Sequence, residues 1–397
     1  MFRPPFMLPV WLFLWLGVAQ IFNPGSTSVW FGLMGFKMFY YYIPLMFVGY
    51  SLINTEKEFR RFFTLNMLLS LVIISLGIAQ SIIGPSFLNP ATLQEDIALL
   101  STLYRVSPSG ASVYRACAVF VSHGRYCDFL MVTLPLILGY SGYLLLRYRK
   151  GRWLAFLALA VTTGGAILSG SRGVFMWLFI DIIVVSVAFL WGAPWRQREV
   201  IRVLRTLMRI GIGTALAGVL LVVLFPDALG LRMALYSETL LPSSSTNELG
   251  GRVLDYPIQN FLGAFDDRWP YGHGIGTSGN GIQYVARIFH VPSMGLGVES
   301  GFGTLVLQMG IMGLILWLLM ASAIVISAWK VVVRLRGSPY FPVGFVIFWY
   351  AFVLLFPAIY GGIQPYLDFV LNAYLWLMLG VLWRLPELQS PSAEQVA

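Results

Sequence analysis

Long apolar runs alternate along this chain with short charged joints, with one exception. Ten mostly apolar runs stand near Met7–Phe22, Trp30–Ile53, Phe62–Ile83, Phe129–Leu146, Trp153–Leu168, Gly173–Trp191, Ile210–Phe225, Thr304–Trp329, Phe341–Phe356 and Phe369–Trp383. Each is long enough, or nearly so, to cross a hydrocarbon core of about 30 Å. Lipid supplies no partner for stray backbone groups, so these runs are expected as helices. The exception is Pro226–Gly303, a long polar segment with four arginines, seven carboxylates and two of the three histidines. The pattern predicts an all-α, polytopic membrane protein. It would be a single integral membrane domain, 1–397, with one long outer loop, 226–303.

Composition agrees with the pattern. The chain is 58% hydrophobic and 11% charged, whereas a soluble protein carries about a quarter charged residues. The net charge of +9 does not point to nucleic acid. It comes from basic residues that orient helices: 17 Lys and Arg fall in the joints of one side, such as Lys57–Arg61, Arg147–Arg152, Arg196–Arg209 and Lys330–Arg336, and 8 fall on the other. Short basic loops stay inside. Both termini are therefore expected in the cytoplasm and the 226–303 loop outside. The first run follows a few residues with no small-residue cleavage site, so it reads as a retained helix. Cys117 and Cys127 read as small packing residues, with a disulfide open if both face an oxidising compartment. No metal-ligand spacing appears, and no cofactor is called for.

Several polar residues stand where chemistry could occur. Arg172 lies in the turn Ser169–Gly173, flanked by Gly170 and Gly173, at the start of a helix. Backbone N–H groups, the helix dipole and a guanidinium together suit a phosphate; an arginine snorkelling to lipid headgroups is the other reading. Arg252 precedes a stripe from Val253 to Phe265, expected as a surface helix with Asp255 as its cap and Pro257 in its first turn; a solvated surface arginine is the alternative. His273 sits in the glycine-rich run Pro270–Gly281, where little would hold its ring still, and reads as a loop histidine. Glu299 stands just before an apolar helix, either as a half-hydrated base or as an interfacial cap. Lys37 and Asp181 lie inside apolar runs at about the same depth, by 1.5 Å per residue. Opposite charges at equal depth suggest an intramembrane ion pair.

Three stretches in this order, "LSGSRGVFMWLFI", "GGRVLDYPIQNFLGAFDDRWPYGHGIG" and "ESGFGTLVLQMGIMGLILW", resemble the O-antigen ligase and O-antigen polymerase family of bacterial membrane glycosyltransferases. The resemblance spans Leu168–Trp317, with softer similarity before it. It implies transfer of a glycan from undecaprenyl diphosphate to an acceptor hydroxyl, on another glycan or a glycolipid, at the outer face of the plasma membrane. It implies that outer-side arginines, here Arg172 and Arg252, hold the diphosphate without a metal. Where ligases of the family carry a His-Asn pair, this chain has Glu299–Ser300. That departure favours a polymerase-like member and makes Glu299 the first candidate for the catalytic base, with His290 second. The family also has more membrane helices than are counted here, and the shortfall is expected at the N-terminus. The competing reading is a flippase for lipid-linked glycans or a polysaccharide transporter. A flippase needs polar residues at the midplane of several helices, and only Lys37 and Asp181 lie deep. No internal repeat of the transporter kind is visible.

Overall fold

The computed structural model describes residues 4–88, 103–106, 110, 112–147, 151–192, 194, 226–240, 256–278, 282–292, 296–298, 300–356 and 368–389. Among them, six helices are long and apolar enough to cross a membrane: Val29–Leu52, Glu56–Ile83, His123–Arg147, Arg172–Gly192, Gly301–Arg334 and the stretch Phe369–Gln389. Three shorter apolar helices, Met7–Ile21, Arg152–Leu168 and Phe341–Leu355, match three more of the expected runs. The tenth, Ile210–Phe225, lies outside the described residues. The surfaces suit lipid. Ile183, Val187 and Leu190 are each more than 60% exposed on Arg172–Gly192, a helix that is apolar almost all round. The chain is thus an all-α, multi-pass membrane protein, with one two-stranded ribbon of three-residue strands added to it.

The chain divides into two compact units. One comprises Met1–Ile53, Gly250–Val331 and Phe348–Arg384; the other comprises Asn54–Leu249, Val332–Ile347 and Leu385–Ala397.

The first unit contains α1 (Met7–Ile21), α2 (Val29–Tyr40) and α3 (Leu45–Leu52). The pattern predicts one helix over Trp30–Ile53, but the structure breaks it. Pro44 has no N–H to donate to Tyr40, and its ring would clash with that carbonyl. Three-residue bonds carry the chain across, from Ile43 N–H to Tyr40 O and from Leu45 N–H to Tyr42 O. α3 then packs against a helix from the other end of the chain, Phe369–Arg384. Gly49 and Gly380 make this approach possible, since a methyl on either would run into the backbone of the other helix at Leu377 or Met46. Small residues at the contact are how helices associate in lipid.

The second unit contains α4 (Glu56–Ile83), the ribbon β1 (Tyr104–Val106) and β2 (Ser112–Tyr114), α5 (His123–Arg147), α6 (Arg152–Leu168), α7 (Arg172–Gly192) and α8 (Pro226–Leu240). α4 starts on a capping box, with Thr55 and Glu58 satisfying each other's backbone N–H, and two of the orphan donors of a helix start are thereby paired. At the same end Tyr143 donates to Glu56 (2.7 Å) and Arg147 pairs with it (3.3 Å). Farther along, Gly77 and Gly165 admit Tyr126 and Ile74, so α4, α5 and α6 pack closely.

The 226–303 segment is more helical than a loop. Besides α8 it holds α9 (Tyr256–Leu262) and α10 (Ile282–Phe289). α9 falls within the predicted 253–265 stripe and keeps Pro257 in its first turn, where a missing N–H costs nothing. The remaining helices are α11 (Gly301–Arg334), α12 (Phe341–Leu355) and α13 (Phe369–Arg384).

Candidate functional sites

Two polar centres stand out, one in each unit. In the first unit the organiser is a kink. α11 leaves helical geometry at Gly310, with φ 68° and ψ −173°, a conformation open to glycine. In an unbroken helix Leu307 O would accept from Ile311 N–H. Here the glycine-rich loop takes over both partners. His273 N–H donates to Leu307 O (2.8 Å), Gly274 N–H to Gln308 O (2.9 Å), and Ile311 N–H turns to Trp269 O (3.1 Å). The Gln308 side chain adds two bonds, accepting from Gly276 N–H (2.8 Å) and donating to Ser278 O (3.0 Å). From the end of α1, Gln20 donates to Tyr271 O (2.9 Å) and Asn23 to Gly272 O (3.2 Å).

The glycines are there because backbone meets backbone. A methyl on Gly276 would strike Phe31 O, and one on Gly310 would strike Pro270 O. His273 is therefore held firmly, contrary to the expectation of a loose loop. A run dense in glycine is rigid when each missing side chain admits another backbone. The His273 residue is 9% exposed, and its Nε2 lies 2.5 Å from Asp266 Oδ2. Burial pushes the Asp266 carboxyl up. The hydrogen bonds from His273 and from Arg268 N–H, with the charge of Arg268, more than offset it, so its pKa lies below the usual carboxylate value.

In the second unit an arginine organises the centre. α4 and α6 end together, α5 and α7 begin beside them, and β2 lies across the turn. Arg232 of α8 is 3% exposed. It donates to Leu168 O at the end of α6 (2.8 Å), Ser81 O near the end of α4 (3.3 Å) and Tyr114 O of β2 (3.0 Å). The last carbonyls of a helix have no partner within it, and this guanidinium supplies several at once. Tyr236, one turn on, donates to Ile167 O (2.8 Å) and stacks on Phe175 at 4.4 Å. Gly170, at φ 74°, lets the ribbon lie on the turn: a methyl there would sit 3.3 Å from Arg115 Cγ and 3.4 Å from Tyr114 O.

This end is rich in arginine, with the carboxylate of Asp128 beside Cys127. Arg172 is the first residue of α7 and half-buried, with Ser171 before it accepting from Val174 N–H (3.4 Å). Arg105, Arg115 and Arg232 lie close enough to act on the ring of His123, and Arg125 stands in the same first turn of α5. Burial, joined by the charge of Arg105, lowers the pKa of Arg115. His123 itself bonds Ala116 O through Nδ1 (2.9 Å) and meets the Cys127 sulfur through Nε2 (3.1 Å). Cys117 and Cys127 are both free thiols. Burial pushes the Cys117 thiol up to about 11, against the pull of Arg115.

The sequence candidates divide as follows. Arg172 belongs to the second unit and His290 to the first. His290 is exposed just past α10, in the left-handed region at φ 52°. Arg252 and Glu299 lie outside the described residues. Lys37 is exposed on α2, in the first unit, whereas Asp181 is 3% exposed on α7, in the second. Three residues escaped the sequence reading: Arg232, Asp266 and His123. Asp266 had a signal, a carboxylate seven positions before a histidine with a turn between them. Arg232 had none, because its three carbonyl partners come from distant parts of the chain. Among the described residues no group of three or more His, Cys, Asp or Glu is placed to hold a metal. Comparison with protein-family models, curated proteins and solved structures finds no match.

Proposed function

We propose that this protein transfers a glycan from a polyprenyl diphosphate of the undecaprenyl type to an acceptor hydroxyl at the outer face of a bacterial plasma membrane. The observation that carries the reading is the basic end of the second unit, where Arg105, Arg115 and Arg232 act on the ring of His123 and Arg115 lies against Gly170, two residues before Arg172 at the start of α7. Guanidinium groups pair with phosphate oxygens at two points, and a helix N-terminus adds backbone donors and a positive dipole end. Arg232 is committed to three carbonyls and acts as scaffold. Arg172 takes the diphosphate role, and Arg105 and Arg115 raise the local positive potential. As the bond from sugar to diphosphate breaks, negative charge grows on the leaving group, and fixed cations lower that barrier. The resemblance of Leu168–Trp317 to O-antigen polymerases and ligases supports the same chemistry, with Arg252 as a second diphosphate ligand. A polymerase-like member is favoured by Glu299–Ser300 where ligases carry a His-Asn pair. The basic joints favour both termini in the cytoplasm.

The test is the polysaccharide of cells with and without the gene, read as chain length and as lipid-linked intermediates. Loss of long polymer with single lipid-linked repeats accumulating at the outer leaflet is the expected result. Long polymer that is made but never attached means a ligase. Single repeats trapped at the inner leaflet mean a flippase and overturn the reading.

A further inference from the structure

The lipid-facing side of α7 ends on a fixed guanidinium, within the second unit. Phe179, Ile183, Val187 and Leu190 are each at least half exposed. They stand four, four and three residues apart, so they share one face of the helix. Continued to Trp191, also exposed, the stripe is about 18 Å long at 1.5 Å per residue. One leaflet of hydrocarbon is about 15 Å deep, half of a core of about 30 Å. The stripe therefore matches the depth of one leaflet. At its end the turn after α11 meets α7. Gly337 N–H donates to Gly192 O (2.8 Å) and Arg336 Nε to Trp191 O (3.2 Å). The guanidinium carbon of Arg336 lies 4.6 Å from the centre of the Trp191 ring, and an indole face is the best aromatic partner for a cation. Gly192 admits the Phe341 ring, which a methyl there would strike.

Part of this is capping. Arg336 donates to a carbonyl that α7 leaves over, and its charge meets the negative end of the helix dipole. Capping uses Nε alone. Arg336 is exposed, and its two Nη groups have no hydrogen-bond partner among the described residues. A guanidinium held in one plane can offer two N–H groups to two phosphate oxygens at once. Arg334, also exposed, stands two residues before it. The joint Lys330–Ser338 carries three basic side chains and no carboxylate, so it has nothing to pair with the ammonium of a zwitterionic headgroup. Tryptophan at the edge of an apolar face marks the headgroup level of a membrane, and the basic joints favour this end in the cytoplasm, where the leaflet surface is anionic.

We propose that Arg336, with Arg334, holds the phosphate of an anionic phospholipid whose acyl chain lies along Phe179–Trp191. The site is at the opposite end of α7 from Arg172 and does not depend on the transfer reading.

The experiment uses the full chain in neutral detergent, incubated with phosphatidylglycerol or with phosphatidylcholine, and counts bound lipid by native mass spectrometry. The parent is expected to hold phosphatidylglycerol about tenfold more tightly than phosphatidylcholine. Arg336→Gln is expected to weaken phosphatidylglycerol by about 10–100-fold, the size of a hydrogen bond to a charged group. Arg336→Lys is expected to weaken it less, since the charge stays and the two-point contact goes. Lys57→Gln, which removes an exposed charge from another joint, should leave both lipids unchanged and so separates a built site from diffuse attraction. In liposomes, phosphatidylglycerol with a photoreactive diazirine in its acyl chain should mark Phe179–Trp191 of the parent several-fold more than the matching phosphatidylcholine. That arm needs no variant, so it decides if Arg336→Gln fails to accumulate. Equal retention of the two lipids by the parent, phosphatidylglycerol held by Arg336→Gln within a few-fold of the parent, a loss in Lys57→Gln as large as in Arg336→Gln, or equal marking by the two probes would each overturn the proposal.

Discussion

The two units meet the same physical problem, carbonyls left over where helices end or break, with different materials. In the first unit the kink at Gly310 frees Leu307 O and Gln308 O, and the backbone N–H groups of His273 and Gly274 satisfy them. In the second unit one side chain, Arg232, reaches the carbonyls of Leu168, Ser81 and Tyr114, and Ser81 Oγ adds a second donor to Leu168 O. The backbone solution needs glycines for close approach, and it buries the His273 ring beside Asp266. The arginine solution uses up a side chain and leaves a positive charge behind. One unit therefore holds a buried His273–Asp266 pair, and the other gathers arginines around His123.

The comparison breaks most readily at the glycines. Gly276→Ala and Gly310→Ala each force an L-residue into a positive φ and a methyl into a facing carbonyl. Strain of that kind costs roughly 1–3 kcal/mol, and overpacking adds about as much. Both variants are expected to lose most folded protein, measured as monodisperse yield and thermal midpoint in detergent. A normal midpoint for either would mean that the loop does not replace the helix bonds.

A smaller loss is expected in the second unit. Arg232→Leu leaves the carbonyls of Ser81 and Tyr114 without their donor, while Leu168 O keeps its bond from Ser81 Oγ, for a cost of about 2–4 kcal/mol. Arg172→Lys should leave the thermal midpoint nearly unchanged. Equal midpoints for Arg232→Leu and the parent would remove Arg232 from its scaffold role.

The smallest effect concerns Cys117. With its thiol pushed up to about 11 from 9.0, its thiolate at neutral pH is scarcer by about 100-fold. Peptide-resolved alkylation at pH 7.5 should therefore label it about 100-fold more slowly than an exposed cysteine placed at Ser112. Equal rates would show that the segment before α5 is open.

How much of this was legible in the sequence follows from the range of the interactions. Apolar runs report spans directly, so nine of the ten expected runs are helical among the described residues, one of them broken at Pro44, with their ends shifted by a few residues. The break at Pro44 was legible too, since proline removes a donor wherever it stands, although the run was read through it. The firmness of His273 was not legible. It depends on Gly310, 37 positions on by residue number, turning its helix open toward the loop. Arg232 was invisible for the same reason. The Arg172 turn was legible because its parts, glycine, serine, arginine and a helix start, are neighbours in the chain.

The central claim is that the basic end of the second unit grips a leaving diphosphate, and Arg172→Lys tests it most directly. Lysine keeps the charge and loses the planar two-point contact. Purified parent and variant, matched for folded amount, are compared for transfer of a fluorescent polyprenyl-diphosphate oligosaccharide in liposomes. The account expects a loss of about 10²–10³-fold in the chemical step with the fold intact. Transfer by Arg172→Lys within a few-fold of the parent would contradict it.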